Sequence, residues 1–310
     1  MFLNDYVLSI IVMVILWAGL SGSWNILSGY MGQLSLGHVA FMGIGAYTST
    51  ILFLEYGISP WIGMFVGGAL SVAIAYGIGI VTFRLKGPFF SMATIGVAEV
   101  FRNIALYWRD VTKGSVGVTI PYEPGFFNLV FTSKWSYIFV ALLYLIVVLY
   151  ITYRMENSRF GYFLRSISQD DHASECLGVD TMKMNLKALA ISSFLTSIGG
   201  TIYAQYIMFI DPESIFSFSH SIQMVIICVL GGMGTIWGAV AGSILITPLS
   251  HFLQDLLRNF GSGLYLVLYG AILIVVVLYL PKGIIGLIQG LKRRRKKVVI
   301  NEKRKVEING

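Results

Sequence analysis

Apolar runs of about twenty residues recur along the chain between short polar intervals, the length a helix needs to cross ~30 Å of hydrocarbon. Residues 7–27 form the first run and leave it through SGSWNILSGY, rich in Ser, Gly and Asn. The next run, residues 29–57, is apolar but interrupted by Gly29, Gly32, Gly37, Gly43 and Gly45. Glycine lets helices pack closely in lipid and lets a helix break. Irregular backbone at membrane depth is tolerated only when buried in protein or lining a water-filled cavity. This run is therefore expected inside the bundle, away from its lipid face.

Residues 61–83, 88–108, 135–153 and 188–210 read as further spans. Residues 221–249 are too long and too glycine-rich for one simple helix. They predict two short crossings, or one broken crossing, around Gly231, Gly232 and Gly234. Residues 264–280 are the last span. The pattern predicts an all-α polytopic integral membrane protein of about nine crossings, within a range of eight to ten. A short echo joins two of the broken regions. Gly29-Tyr30-Met31-Gly32 and Gly231-Gly232-Met233-Gly234 share G-x-M-G, each followed by another glycine, Gly37 and Gly238. Repeated glycine-interrupted segments often meet at a solute path, but chance is the simpler source of four matches in a glycine-rich chain.

The polar intervals change the picture next. Residues 159–187, RFGYFLRSISQDDHASECLGVDTMKMNLK, are the longest charged interval and carry both signs of charge. From Ser168, acidic and small polar residues suit a first helical turn, and Gly178 suits a stop. A short helix along the membrane surface, flanked by Arg165 and Lys183, is expected as a docking element for a soluble partner. A solvated connector is the alternative. Residues 109–134 form the second polar loop.

Composition agrees with a membrane protein: of 310 residues, 56% are hydrophobic and only 12% charged, with a mean hydropathy of +0.77. The net charge of +7 sits in the tail, residues 292–310, which holds nine Lys/Arg against Glu302 and Glu307. Such a run beside a span marks the cytoplasmic side and favours anionic lipid over nucleic acid. Orientation from basic residues then puts the 159–187 interval, Arg84 and Lys86 in the cytoplasm and the N-terminus outside. The first run lacks a basic start and a small-residue cleavage site, so it reads as a retained helix.

No enzyme constellation is present. The patterns H-E-x-x-H, G-x-S-x-G and the phosphate loop G-x-x-x-x-G-K-[ST] are all missing, and Cys176 and Cys228 have no metal-ligand spacing. No cofactor or metal is expected on the chain, and any ATP hydrolysis belongs to a partner. Glu99 and Arg102, three residues apart within a span, are either part of a solute path or an ion pair on one helix face near the outer interface. His38 either lines a path or is a neutral, backbone-bonded core histidine. Gln33, Ser35 and His38 together give the second run polar atoms without charge.

These residues carry a specific resemblance. The stretches LSGYMGQLSLGHVAFMGIGAYTS, RFGYFLRSISQDDHASECLGVDTMKMNLKALAISSFLTSIGGTIYA, GGMGTIWGAVAGSIL and LYGAILIVVVLYLPKGIIGLI resemble the permease family of branched-chain amino acid ABC importers, the LivM/LivH type. The resemblance implies an ABC importer permease fold over residues 1–291, with 159–187 as a cytoplasmic coupling loop and 292–310 as a cytoplasmic tail. It implies a second homologous permease, two cytoplasmic ATPase subunits carrying ATP and Mg²⁺, and an external solute-binding protein. The setting is a bacterial or archaeal plasma membrane. Asp171, Ala173 and Gly178 match the coupling core, with Arg165 and Asp170 beside them; Ser174 and Cys176 depart from its small residues. Gly29, Gln33, Ser35, Gly37, His38, Glu99, Gly231, Gly232 and Gly234 are the expected path residues. Branched-chain amino acids are the implied solute, and relatives carrying urea, short amides or sugars are the alternative. An ATP-independent secondary transporter or channel, or a structural or sensory membrane protein, are the other classes.

Overall fold

The computed structural model describes residues 5–257, Gly270 and residues 283–285. The span expected at 264–280 and the basic tail at 292–310 lie outside the described residues. The described helices are α1 (Asp5–Met31), α2 (His38–Tyr56), α3 (Pro60–Thr82), α4 (Pro88–Tyr107), α5 (Arg109–Thr112), α6 (Lys134–Glu156), α7 (Arg159–Gln169), α8 (Asp171–Cys176), α9 (Thr181–Ile207), α10 (Pro212–Ile215), α11 (Phe218–Gly231) and α12 (Gly238–Leu257). Two-residue strands β1 (Val118–Thr119) and β2 (Phe209–Ile210) pair antiparallel, Val118 opposite Ile210. Six of the helical segments are long and apolar enough to cross a membrane: α1, α2, α3, α4, α6 and the combined stretch Pro212–Gly231.

Local chemistry sets the helix starts. Pro60, Pro88 and Pro212 occupy first turns, where a missing N–H is harmless. Side chains of Ser133, Ser158, Asp170, Asp180 and Asp211 cap α6, α7, α8, α9 and α10 by accepting a backbone N–H two or three residues on.

Side-chain and backbone contacts define two ends of the bundle. At one, the Nε1 of Trp61 donates to the Phe126 carbonyl at 2.8 Å, β1 pairs β2, and Lys134 Nζ donates to the Asp5 carbonyl at 2.8 Å. At the other, Lys86 meets Asp171 at 2.9 Å and Tyr30 Oη donates to Glu156 at 3.0 Å. Between them α1, α2 and α9 form the interior. The Ser192 hydroxyl on α9 donates to the Ser23 carbonyl on α1, and the Thr201 hydroxyl donates to the Gly45 carbonyl on α2. The outer faces of α3 and α6 leave large apolar side chains such as Phe65, Ile80, Phe139 and Leu143 exposed, as suits contact with lipid tails.

Three sequence expectations are corrected by the fold. The interval 159–187 is not a loop, because α7, α8 and the first turns of α9 account for nearly all of it. The expected surface helix starts at Asp171, not Ser168, since Asp170 is the cap whose carboxylate accepts from Ala173 N at 3.0 Å. Helix α9 begins at Thr181, within residues read as polar connector, because its polar first turns need no hydrocarbon around them. By contrast, the region 221–249 divides at the expected glycines into α11 and α12. The glycine-broken second run lies inside the bundle: from His38 to Ala46 every residue of α2 is buried.

Candidate translocation and coupling site

The first break in the bundle lies between α1 and α2. Helix α1 ends at Met31, Gly32 turns the chain at φ +80°, and residues 33–37 run back beside α1 without helical hydrogen bonds. Ser35 N donates to Ser28 Oγ at 3.1 Å, and Trp24 Nε1 donates to the Ser35 carbonyl at 2.7 Å. Helix α4 holds the other side, with Leu36 N donating to Thr94 Oγ1 at 3.0 Å and Ser91 Oγ donating to the Leu34 carbonyl at 2.6 Å. Gly37 lies against the Thr94 backbone. The break is thus non-helical chain within the bundle, its polar groups bonded to protein.

His38 is the hub of this region. Its Nε2 lies 2.7 Å from Ser192 Oγ and its Nδ1 lies 2.9 Å from Ser35 Oγ. The Ser192 proton is committed to the Ser23 carbonyl at 2.7 Å, so Ser192 Oγ accepts from His38 Nε2–H. Nδ1 is then free to accept from the Ser35 hydroxyl, and one neutral tautomer satisfies every group. The ring is fully buried and bonds two serine hydroxyls, where the sequence suggested a backbone carbonyl. Gln33 is half-buried, with an Oε1 that has no protein partner among the described residues.

The second break, residues 232–237, separates α11 from α12 and sits against the end of α1. Asn25 clamps it: Gly234 N donates to Asn25 Oδ1 at 2.9 Å, and Asn25 Nδ2 donates to the Thr235 carbonyl at 2.9 Å. Gly29 and Gly234 touch backbone to backbone. A Cβ on Gly29 would lie 2.7 Å from Gly234 N, and one on Gly234 would lie 2.9 Å from the Gly29 carbonyl oxygen. The two G-x-M-G sequences, a chance echo by sequence alone, therefore meet in space. Gly231 closes α11 against the Gly238 backbone, and Gly232 lies beside Ile285.

Helices α7 and α8 are tied to the first break and to the end of α1. Arg165 pairs with Glu156 at the end of α6 and stands over the Tyr30 ring, 5.7 Å from its centroid; Tyr30 Oη donates to the same carboxylate. Ser168 of α7 abuts Gly32. Ser166 and Ser174 share a 2.7 Å hydrogen bond that fastens α8 to α7. The Asp171 carboxylate beside Lys86 holds that ammonium above its ordinary pKa, so the link between α8 and the α3–α4 connection is charged at neutral pH. After α8 the chain turns at Gly178, φ +86°, with open space around it. Neighbouring Leu177 is 81% exposed.

The structure thus brings Gly29, Gln33, Ser35, Gly37, His38, Gly231, Gly232 and Gly234 into one region, with Arg165 bound to its edge. Asp170, Asp171, Ala173 and Gly178 gather on α8 and its flanks. Glu99 stands apart on an exposed face of α4, paired with Arg102. Asn25, Tyr30, Glu156 and Ser192 escaped sequence reasoning because each is an ordinary polar residue at the end or in the middle of an apolar run. Only Asn25 carried a usable signal, being an amide followed four residues later by Gly29.

A cavity of only about 10 Å³ lies at the first break beside Ser35, Gly37 and Thr94, and two larger ones open elsewhere in the bundle. One of about 220 Å³ lies between α3, α6 and α9 and is lined by apolar side chains and Tyr144. Another of about 480 Å³ lies between α2, α3, α4 and α5, with only Tyr47, Thr48 and Thr112 bringing hydroxyls to it. Neither has the lining of a polar solute path. Among the described residues, no group of three His, Cys, Asp or Glu side chains is placed to share a metal ion.

Residues 6–277 match the family described as branched-chain amino acid transport system / permease component. The chain is 28% identical over 297 residues to the high-affinity branched-chain amino acid transport system permease protein LivM of Escherichia coli K12, covering 88% of this chain and 68% of that protein. It is 26% identical over 289 residues to the LivH permease of the same strain, covering 85% and 89%. With BraD of Pseudomonas aeruginosa, a permease protein of the same named system, identity is 25% over 281 residues. No solved structure matches the chain. Apolar spans, buried helix breaks and a match over most of its length make this a multi-pass transport permease, a member of the branched-chain amino acid permease family.

Proposed function

We propose that the chain is one of two permease subunits of an ATP-driven importer of branched-chain amino acids, and that α7 and α8 receive the stroke of cytoplasmic ATPases. One observation carries this reading. The α7–α8 unit projects Leu177 and the Gly178 turn outward, yet is bonded through Arg165, Glu156 and Tyr30 to α1 and abuts the helix break at Gly32. A push on α8 has a continuous packed route to the break. Such a route is what alternating access by rigid movement of packed elements requires.

The remaining parts follow from this assignment. ATP and Mg²⁺ bind the ATPase subunits and none binds here. The second permease is a homologue, as LivM and LivH are two differently named permeases of one transport system. The end carrying residues 108–133 faces outward towards a solute-binding protein. The basic tail lies on the cytoplasmic face of a bacterial or archaeal plasma membrane, against anionic lipid.

The test is gentle purification from native membranes and identification of stoichiometric partners. A second polytopic chain and soluble chains bearing G-x-x-x-x-G-K-[ST] are expected, with ATPase activity stimulated by leucine, isoleucine or valine in the presence of the binding protein. Stimulation by urea or a short amide instead would move the substrate. Recovery of this chain alone, still transporting without ATP, would overturn the importer.

A further inference from the structure

Glu99 and Arg102 sit where a lipid-facing helix should carry neither. Helix α4 is apolar enough to span, and Tyr107 and Trp108, 82% and 57% exposed, end it as interfacial aromatics do. At 1.5 Å per residue, Arg102 lies about 8 Å and Glu99 about 12 Å inward of Tyr107. Glu99 is exposed and Arg102 half-buried, with the charge of Glu213 on α10 also acting on Arg102. Arg102 Nε donates to the two Glu99 carboxylate oxygens at 3.1 and 3.0 Å, a further contact runs from its guanidinium, and Asn103 Nδ2 donates to the same carboxylate at 3.2 Å. Along the helix, Met92, Gly96, Glu99 and Asn103 fall on one stripe, and no atom lies within 4 Å of a Cβ built on Gly96. A carboxylate, a guanidinium and an amide at this depth require water or a polar neighbour, so hydrocarbon does not cover this stripe.

We infer that the Glu99–Arg102 pair is a docking site for the zwitterion of an α-amino acid on the translocation path. This rests on the functional reading above and adds to it the contact that recognises the solute. The chemistry is an exchange of ion pairs. The solute ammonium takes Glu99, its carboxylate takes the planar fork of Arg102, and the charge of the site is unchanged by loading. A solute lacking either charge leaves one member of the pair without a partner. Exposed Val100 follows Glu99, and exposed Met92 lies two turns back on the same stripe, so both offer apolar surface to an aliphatic side chain. Asn103 holds the Glu99 carboxylate in place when Arg102 turns to the solute.

The test uses the complete complex, with its second permease, ATPases and binding protein, in proteoliposomes. Glu99→Gln and Arg102→Gln are each expected to lower the maximal rate of leucine import by roughly tenfold or more. The half-saturating concentration of loaded binding protein should stay unchanged, because capture occurs elsewhere. The double variant Glu99→Leu/Arg102→Leu separates this from a structural ion pair. Removing both charges strands neither, so a structural pair predicts recovered import, and such recovery would overturn the site. A readout independent of folding of that variant is labelling of Gly96→Cys and Asn103→Cys, in a Cys176→Ser/Cys228→Ser background, by a charged thiol reagent. Reaction that slows with saturating leucine is expected, and absence of reaction would overturn the aqueous placement. Wild-type vesicles that import no α-amino acid would instead overturn the functional reading, with the labelling result still reporting on the stripe.

Discussion

The Asn25 side chain uses both ends of one amide to hold a backbone that has left its helix, accepting from Gly234 N and donating to the Thr235 carbonyl. An Asn25→Leu variant keeps the volume and loses both bonds. We expect a stability loss of about 1–3 kcal/mol, read as a lower melting temperature in detergent, and a larger proportional loss of uptake because the second break is released. His38 behaves differently. Its ring satisfies Ser35 and Ser192 from one neutral tautomer, so His38→Ala leaves the buried Ser35 hydroxyl without its acceptor, removes one of the two bonds of Ser192 and leaves a cavity, and a loss of roughly 2–4 kcal/mol is expected. Uptake by the wild-type permease should show no inflection attributable to this residue, since the ring is fully buried between two neutral hydroxyls that leave an imidazolium no counter-charge. A pH profile of transport in wild-type vesicles checks this.

Among the elements, α8 is only six residues long, and it is the one proposed to meet the ATPase. It is fastened by Ser174 to α7 and by Asp171 to Lys86. Exposed ion pairs stabilise little, about 0.2–1 kcal/mol, so Lys86→Glu should hardly change the melting temperature. If α8 couples as proposed, ATPase activity is expected to persist while leucine uptake falls, and the swap Lys86→Glu/Asp171→Lys should restore much of it. The folded-state pKa of Lys86 is raised, so the bridge is complete below the ordinary lysine value and lost only as pH climbs through the raised one. Coupling through it should be flat across pH 6 to about 9. Gly178→Val places a β-branched residue at φ +86°, at a cost of roughly 1–2 kcal/mol confined to the turn. Uptake should fall sharply while the protein still reaches the membrane, as membrane fractionation beside an uptake assay would show.

For the whole molecule, the organising fact is that both interrupted helices meet at the end where α7 and α8 attach. The two larger cavities lie between interior helices and their outer neighbours and are lined almost wholly by apolar groups, and the one beside Ser35 and Gly37 is only about 10 Å³, which suits a polar path formed against the proposed second permease. This chain alone in vesicles is therefore expected to accumulate no leucine above empty vesicles, with or without ATP. Radiolabelled uptake measures it directly, and uptake by the lone chain would favour a channel or secondary transporter.

Hydrophobic periodicity and length were enough to determine a bundle of spanning helices, the glycine interruption of two of them, and the polar interval that carries α7 and α8. Each depends on local composition measured against hydrocarbon thickness, which a sequence displays directly. The start of α9 at Thr181 was hidden, because a helix that leaves the membrane continues on caps and polar turns to which hydropathy is blind. The neutral tautomer of His38 was hidden as well, since it depends on where the Ser192 proton goes, and that is decided by Ser23 on another helix. Only the tertiary structure decided that Gly29 meets Gly234 and that Arg165 ties α7 to Tyr30. Contacts between residues so far apart in sequence are selected by packing of whole helices, and no local signal records them.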